Sequence, residues 1–243
     1  MGGLDLSIKR SLVYYWSMRK SDCKARCAEI ETLIKQYKGK YKDLRSEFDK
    51  RIASDKFAKG GIDMHRGYYC PSLILDLYCN VNRGALCKQD SKLRIYRYCF
   101  DNEGRMILVE RKHPSGVEFI MHGENSEIGI QYDNNKRVRV VTECKFYSNG
   151  RIKTYERFEC EPRGVVRSYD REGYEYFEDS MIVECTDYFV YQDIQTMRHD
   201  IMHFTIEDGY LTQYINKSYV DGELMDTPAN DWVWKVYIKR KVP

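Results

Sequence analysis

The sequence predicts an α+β protein: an N-terminal helical hairpin, containing one long amphipathic helix, packed on a tyrosine-rich antiparallel β-meander. Three observations carry this reading. Apolar residues between positions 23 and 48 recur at heptad spacing, the period drops to two from about Tyr68, and clusters of Asp, Asn and Gly punctuate the second region. Gly60-Gly61 separates the two regions, assigning residues 1–60 to a helical hairpin and 61–243 to a sheet domain.

The helix rests on Cys23, Cys27, Ile30, Ile34, Tyr37, Tyr41, Leu44 and Phe48, whose spacings alternate between four and three. That rhythm places them on one stripe, with Lys, Arg, Asp and Glu at most positions between them. Ser21-Asp22 supplies an N-cap signal, and only Gly39 interrupts the pattern. A helix of ~35 residues would be roughly 50 Å long. Residues 6–19 are expected to form a shorter preceding helix with Leu12, Tyr15 and Trp16 facing inward. Cys23 and Cys27 fall in the buried stripe, where thiols are inert.

The sheet rests on a loose unit: an aromatic strand, a turn rich in Asp, Asn and Gly, then a second strand. It recurs at 98–105, 131–136, 145–151, 167–173, 205–209 and 219–222. Asp or Asn followed by Gly is hairpin-turn chemistry, because these residues tolerate positive φ. Near the C-terminus, Trp232, Trp234, Val236 and Ile238 alternate with Lys235, Tyr237 and Lys239, as in a half-buried edge strand. The aromatic-Asp-x-x-Gly-Arg unit resembles the hairpins of the YD (Rhs-type) repeats and related meander repeats of bacterial toxin and immunity proteins. The resemblance spans roughly residues 95 to 225 and implies a place in a toxin–immunity system.

Charge is unevenly distributed along the chain. Residues 1–60 carry 15 Lys and Arg against 8 Asp and Glu, whereas residues 161–231 carry 5 against 16. A tyrosine-rich segment of net charge −11 repels nucleic acid and steers basic proteins toward it. No apolar run approaches the ~18 residues of a membrane helix. The N-terminus lacks the apolar stretch of a signal peptide, and Leu6 breaks a myristoylation pattern. The nine cysteines form no Cys-x-x-Cys, so they read as reduced thiols in a cytoplasmic protein.

Catalytic signatures are missing. There is no Gly-x-Ser-x-Gly elbow and no phosphate-binding loop. His199 and His203 have the i, i+4 spacing of a zinc site, but Asp200 follows the first His and the general-base Glu is absent. The sequence therefore predicts a non-enzymatic protein-binding inhibitor, immunity-like, with no cofactor and no metal. Its expected partner is a basic protein such as a nuclease toxin, with nucleic acid and membrane disfavoured. The expected contact is a turn at residues 169–176, projecting Asp170, Glu172 and Glu175 among Tyr169, Tyr174 and Tyr176. Two alternatives stand beside it: an assembly protein self-associating through the heptad helix, and an enzyme with an unrecognised carboxylate or histidine site.

Overall fold

The computed structural model describes residues 18–61, 65–78, 83–89, 91–112, 115–191, 194–227, 230 and 232–242. Among them, fourteen strands form one antiparallel sheet. They are β1 (Ser54–Lys59), β2 (Ala85–Cys87), β3 (Tyr96–Phe100), β4 (Met106–Arg111), β5 (Gly116–His122), β6 (Ser126–Asp133), β7 (Val138–Phe146) and β8 (Ile152–Cys160). The series continues through β9 (Val166–Tyr176), β10 (Ser180–Tyr191), β11 (Ile194–Glu207), β12 (Tyr210–Val220), β13 (Glu223–Leu224) and β14 (Val233–Lys241). From β3 to β13 every strand pairs with its neighbour in sequence; β1 inserts between β3 and β2, and β14 pairs with β12.

Five of the six predicted turn units are hairpin turns, and each contains a residue at positive φ: Gly104, Lys136, Gly150, Asp208 with Gly209, and Asp221 with Gly222. Asp101 and Asp133 stabilise their turns in the same way. The Oδ1 of each accepts backbone N–H bonds from residues two and four further on, at 2.8–3.0 Å. A turn at Gly164, with φ of +88° and the Glu161 carbonyl accepting from Gly164 N at 2.8 Å, joins β8 to β9. The sixth unit, 167–173, is no turn at all and lies inside β9.

One row of side chains crosses the sheet in direct register: Cys99, Leu108, Phe119, Ile130, Val141, Phe158, Tyr169, Tyr188 and Met197. None is more than 4% exposed. Directly opposed residues share a face and pack in pairs across strands. The row defines a helix face, covered by two helices, α1 (Lys20–Tyr37) and α2 (Tyr41–Asp49). Cys23, Cys27, Ile30 and Ile34 of α1 are buried against it, and Phe48 of α2 meets Phe119 edge-on with centroids 5.3 Å apart. Burial pushes the Cys23 thiol up to about 11 and the Cys27 thiol up to about 12. Arg26 adds a polar anchor, reaching Glu156 at 2.8 Å and Glu143 on the same face.

The fold class expected from the sequence is corrected by this architecture. The protein is predominantly a β-sheet, and the single long helix is two short ones. Lys38 leaves the helical region (φ −59°, ψ 123°), Gly39 takes φ of +79°, and α2 restarts at Tyr41. The apolar stripe continues across the break, since Tyr37, Tyr41 and Leu44 still pack on the same core. A heptad count registers which residues face inward, and it is blind to a three-residue turn that preserves their phase. The N-cap is Arg19 rather than Ser21-Asp22; its backbone N–H donates to Asp22 Oδ2 at 2.9 Å. The expected helix at 6–19 lies outside the described residues up to position 17. Because the stripe is spent on the protein's own sheet, the long heptad surface needed for self-association through this helix is absent.

No helix among the described residues is long and apolar enough to cross a membrane.

Ile34 is 4% exposed, so Ile34→Asp buries an unpaired charge and is expected to cost about 3 kcal/mol or more. Lys38→Glu on the wet side of the break should change stability by no more than about 0.5 kcal/mol. Equal melting temperatures for the two variants would refute the helix-face assignment.

Candidate functional site

The segment expected to project as a contact turn runs through the middle of the sheet as β9, paired with β8 on one side and β10 on the other. Its alternation divides the six candidate residues between the faces. Tyr169 belongs to the buried row on the helix face, with Phe158 stacked on it at 4.5 Å and its hydroxyl donating to Glu156. Glu172 and Tyr174 are buried on the opposite face, whereas Asp170, Glu175 and Tyr176 are half-buried. The six therefore form no common surface. Asp-Arg-Glu-Gly has turn composition, but both carboxylates here are satisfied by neighbouring elements: Asp170 by Arg157 at 3.0 Å, and Glu172 by residues 72 and 73.

That opposite face carries two polar rows. Thr142, Arg157, Asp170, Asp187 and Arg198 stand in direct register across β7 to β11. Beside them run Glu127, Cys144, Tyr155, Glu172, Cys185, Asp200 and Ser218, from β6 to β12. Over these rows lies a strap, residues 65–78, which ends in a short helix, α3 (Ile74–Tyr78). Arg66 is its main anchor. The guanidinium is 2% exposed, 2.8 Å from Glu118 Oε1, paired with Glu127 and 3.1 Å from Thr142 Oγ1. His65 sits 3.2 Å from Glu118 Oε2, and its Nδ1 lies 3.0 Å from the Tyr155 hydroxyl. The Tyr155 contact fits a neutral ring whose Nδ1 accepts from the hydroxyl, while Nε2 faces the Glu118 carboxylate without a hydrogen bond.

Electrostatics follow from this packing. Burial alone would raise the Glu118 carboxyl, but Arg66 and His65 beside it hold it well below the carboxylate range. Burial lowers the pKa of His65. Glu172 has no cation at hand: burial pushes it up to about 7, although the Ser72 hydroxyl, the Tyr174 hydroxyl and the Leu73 N–H all donate to it. Asp187 is pushed up to about 7 as well, by burial first and then by the facing Asp170 and Asp200. Asp200 is held by Ser218 and by Arg198 at 2.9 Å. The strap supplies the partners of Glu118 and Glu172, whereas those of Asp200 come from β11 and β12 of the sheet itself.

Arg66 adopts a left-handed conformation, with φ of 58°, which a non-glycine residue keeps only where its surroundings fix it. Gly129 makes room for it. A Cβ at that position would lie 2.7 Å from Arg66 Nη2 and would collide with Glu118 and Thr142. His65, Arg66, Glu118 and Glu127 escape sequence reading because the strap joins positions about fifty residues apart, with no local spacing to mark them.

His199 and His203 lie on one face of strand β11, as alternate positions of an extended chain must. Burial lowers both, and His199 Nδ1 is 3.2 Å from the Thr186 hydroxyl. Among the described residues, no group of three His, Cys, Asp or Glu side chains is placed to hold a metal ion.

Four of the exposed acidic groups of the segment 161–231 lie elsewhere, at one end of β9 to β12; Glu161, Asp221, Glu223 and Asp226 are exposed at other turns and on β13. The β9–β10 turn presents Phe177, Glu178 and Asp179, and the β11–β12 turn presents Glu207 and Asp208, all exposed. Ile206 N donates to the Asp179 carbonyl at 2.8 Å, which locks the two turns side by side. Phe177, on the β9 side of this rim, is 50% exposed. Asp-Gly at 208–209 marked one of these turns in the sequence; Phe-Glu-Asp at 177–179 contains no glycine and gave no signal.

No family model matches the chain, and neither a curated protein nor a solved structure matches it.

Gly129→Ala is expected to displace the Arg66–Glu118 pair and to cost about 3 kcal/mol or more, read by thermal unfolding. An unchanged melting temperature would show that the strap does not depend on this close approach. Glu172 gives a pH prediction. Its folded pKa lies above its unfolded value of 4.5, so the folded state holds the proton more tightly, and this contribution to stability is lost as pH rises from 4.5 through 7. Glu172→Gln, neutral at every pH, should gain on the wild type across that window by on the order of 3 kcal/mol. A stability difference between the two that does not vary with pH would refute the assignment.

Proposed function

We propose that this protein is a non-catalytic binding module that recognises a basic protein through the acidic rim formed by the β9–β10 and β11–β12 turns. The observation that carries the reading is the rim itself: an exposed aromatic ring among four exposed carboxylates, on two turns held together by a backbone hydrogen bond. An aromatic anchor surrounded by charge combines apolar contact with electrostatic steering. Steering needs carboxylates in water, and all four of the rim are exposed, on two adjoining turns; Asp170, Glu172, Asp187 and Asp200 serve the interior instead. The resemblance of the hairpins to YD-type repeats favours an inhibitor of the immunity kind, with a basic toxin as its target. The rim replaces residues 169–176 as the contact, with Glu175 half-buried beside it.

The test compares the wild type with the variant Glu178→Lys, Asp179→Lys, Glu207→Lys, Asp208→Lys as baits in a native-host extract. The wild type should retain a basic protein that the variant does not, and association with the purified partner should slow by about tenfold or more in the variant. The wild-type rate should also fall steeply with salt, because steering is screened over a Debye length of ~8 Å at physiological ionic strength. A partner bound equally by both baits, or an acidic one, would refute the proposal.

A further inference from the structure

A second charged surface lies at the opposite end of the strands from the acidic rim. It is the corner where the break between α1 and α2 meets two hairpin turns. Lys35, Lys38, Lys40 and Lys42 are exposed at the break. Lys136 and Arg137 are exposed on the β6–β7 turn, which is fixed against the break: Lys136 Nζ lies 4.1 Å from the centre of the Tyr41 ring, and the Tyr132 hydroxyl donates to the Tyr37 carbonyl at 2.8 Å. Arg163 is exposed on the β8–β9 turn, which touches α1 at Ile34; a Cβ on Gly164 would lie 3.2 Å from Ile34 Cγ2. We propose that this corner docks the acidic rim of a second copy of the chain, so that copies associate head to tail.

The charges carry the argument. Against the seven cations, the same segments set Asp43 and Glu161, both exposed, and Glu31 and Asp133, both half-buried. Asp43 lies 3.6 Å from Lys40, Glu31 accepts the Val166 N–H, and Asp133 accepts the N–H groups of residues 135 and 137. The corner therefore keeps an excess of at least three positive charges. The rim presents the opposite excess, four exposed carboxylates on two turns locked side by side.

Within one chain the two surfaces cannot meet. β9 runs from the corner to the rim, and its 11 residues span about 35 Å at ~3.3 Å per residue. That separation is several times the Debye length of ~8 Å at physiological ionic strength, so the attraction is screened inside a copy and available only between copies. Corner against corner, or rim against rim, sets like charges together and is repelled. The complementary contact joins two different surfaces at opposite ends, which makes it heterologous: it grows an open chain unless its rotation closes a ring. The rim is also the surface assigned above to a basic partner, so that partner and a second copy compete for it.

The experiment is sedimentation velocity of the full chain at millimolar concentration, in about 10 mM and about 1 M salt, between which the Debye length falls from ~30 Å to ~3 Å. The wild type should show a weight-average mass about 1.5-fold or more above the monomer in low salt and the monomer mass in high salt. Two charge-reversed proteins make the test specific: the rim variant described above, and a corner variant carrying Lys38→Glu, Lys40→Glu, Lys42→Glu and Arg137→Glu. All of these positions are exposed, so both variants should melt with the wild type. Each variant alone should be monomeric in low salt, because it carries one sign of charge at both ends. Mixed in equal amounts they should form a heterodimer, since the corner of one still meets the rim of the other. A wild type that is monomeric in low salt, association that high salt leaves unchanged, self-association of either variant, or a mixture that stays monomeric would each overturn the proposal. So would a wild type that remains monomeric and instead binds a single-stranded RNA oligonucleotide through the corner. The corner variant keeps its rim and should still retain the basic partner in the native-host extract, so the proposed function and head-to-tail association fail separately.

Discussion

A single antiparallel sheet has two faces, and here both carry large side chains that must leave water. Every other feature of the structure answers that constraint. On one side, the row from Cys99 to Met197 sets nine apolar residues edge to edge across nine strands, and α1 and α2 cover it. On the other, Tyr155, Tyr174, Met202 and Phe204 form a second core with Leu73 and Ile74 of the strap. A third cluster, around Tyr96, Tyr98 and Phe100, packs Tyr69 of the same strap. Remove either cover and the apolar surface beneath it returns to water, at about 25 cal/mol for each Å² exposed.

The two covers are attached differently. The helix face is mostly apolar, with Arg26 as its ionic anchor. The strap face is held by polar contacts: Arg66 and His65 sit against Glu118, Arg66 also pairs with Glu127, and residues 72 and 73 bond to Glu172, in a region nearly closed to solvent. Buried ion pairs contribute little net stability compared with apolar packing, because desolvation offsets the attraction, but breaking one leaves an uncompensated charge. Such a network tolerates only one placement of the strap, which explains why a left-handed Arg66 and a glycine at position 129 are both required. Apolar contacts alone would let a fourteen-residue segment slide; paired charges in fixed register do not.

This division also sorts the acidic residues by role. The excess of Asp and Glu in residues 161–231 looks in sequence like one surface. In the folded chain its carboxylates separate into internal ones, which stand in register rows and bind Arg157, Arg198, Ser72 and Ser218, and external ones at the hairpin turns. Burial raises Asp170, Glu172 and Asp187, which serve as structural groups, whereas the external group keeps the solvation that long-range attraction requires. The contact consequently moves from the body of β9 to the turn that follows it.

Local rules carried much of the fold. The alternation of β-branched and aromatic residues, with Asp-Gly and Asn-Gly turns, identified an antiparallel meander and five of its hairpins. The apolar spacing from Cys23 to Phe48 identified the residues that α1 and α2 bury, because burial on one helical side is a property of sequence period. Local rules misplaced what depends on distant contacts. Gly39 divides the helix, yet its heptad phase is unbroken. Asp-Arg-Glu-Gly at 170–173 has the composition of a turn, but Arg157 on β8 and the strap satisfy its side chains and keep β9 extended. The position of residues 65–78 over Glu118 and Glu172 was invisible, since no periodicity links positions that meet only after the sheet has formed. The sequence by itself determined which side chains must be buried and where the chain must reverse. Only the tertiary structure decided which charges would be buried with them, because a carboxylate's environment is set by the elements that fold over it and not by its neighbours along the chain.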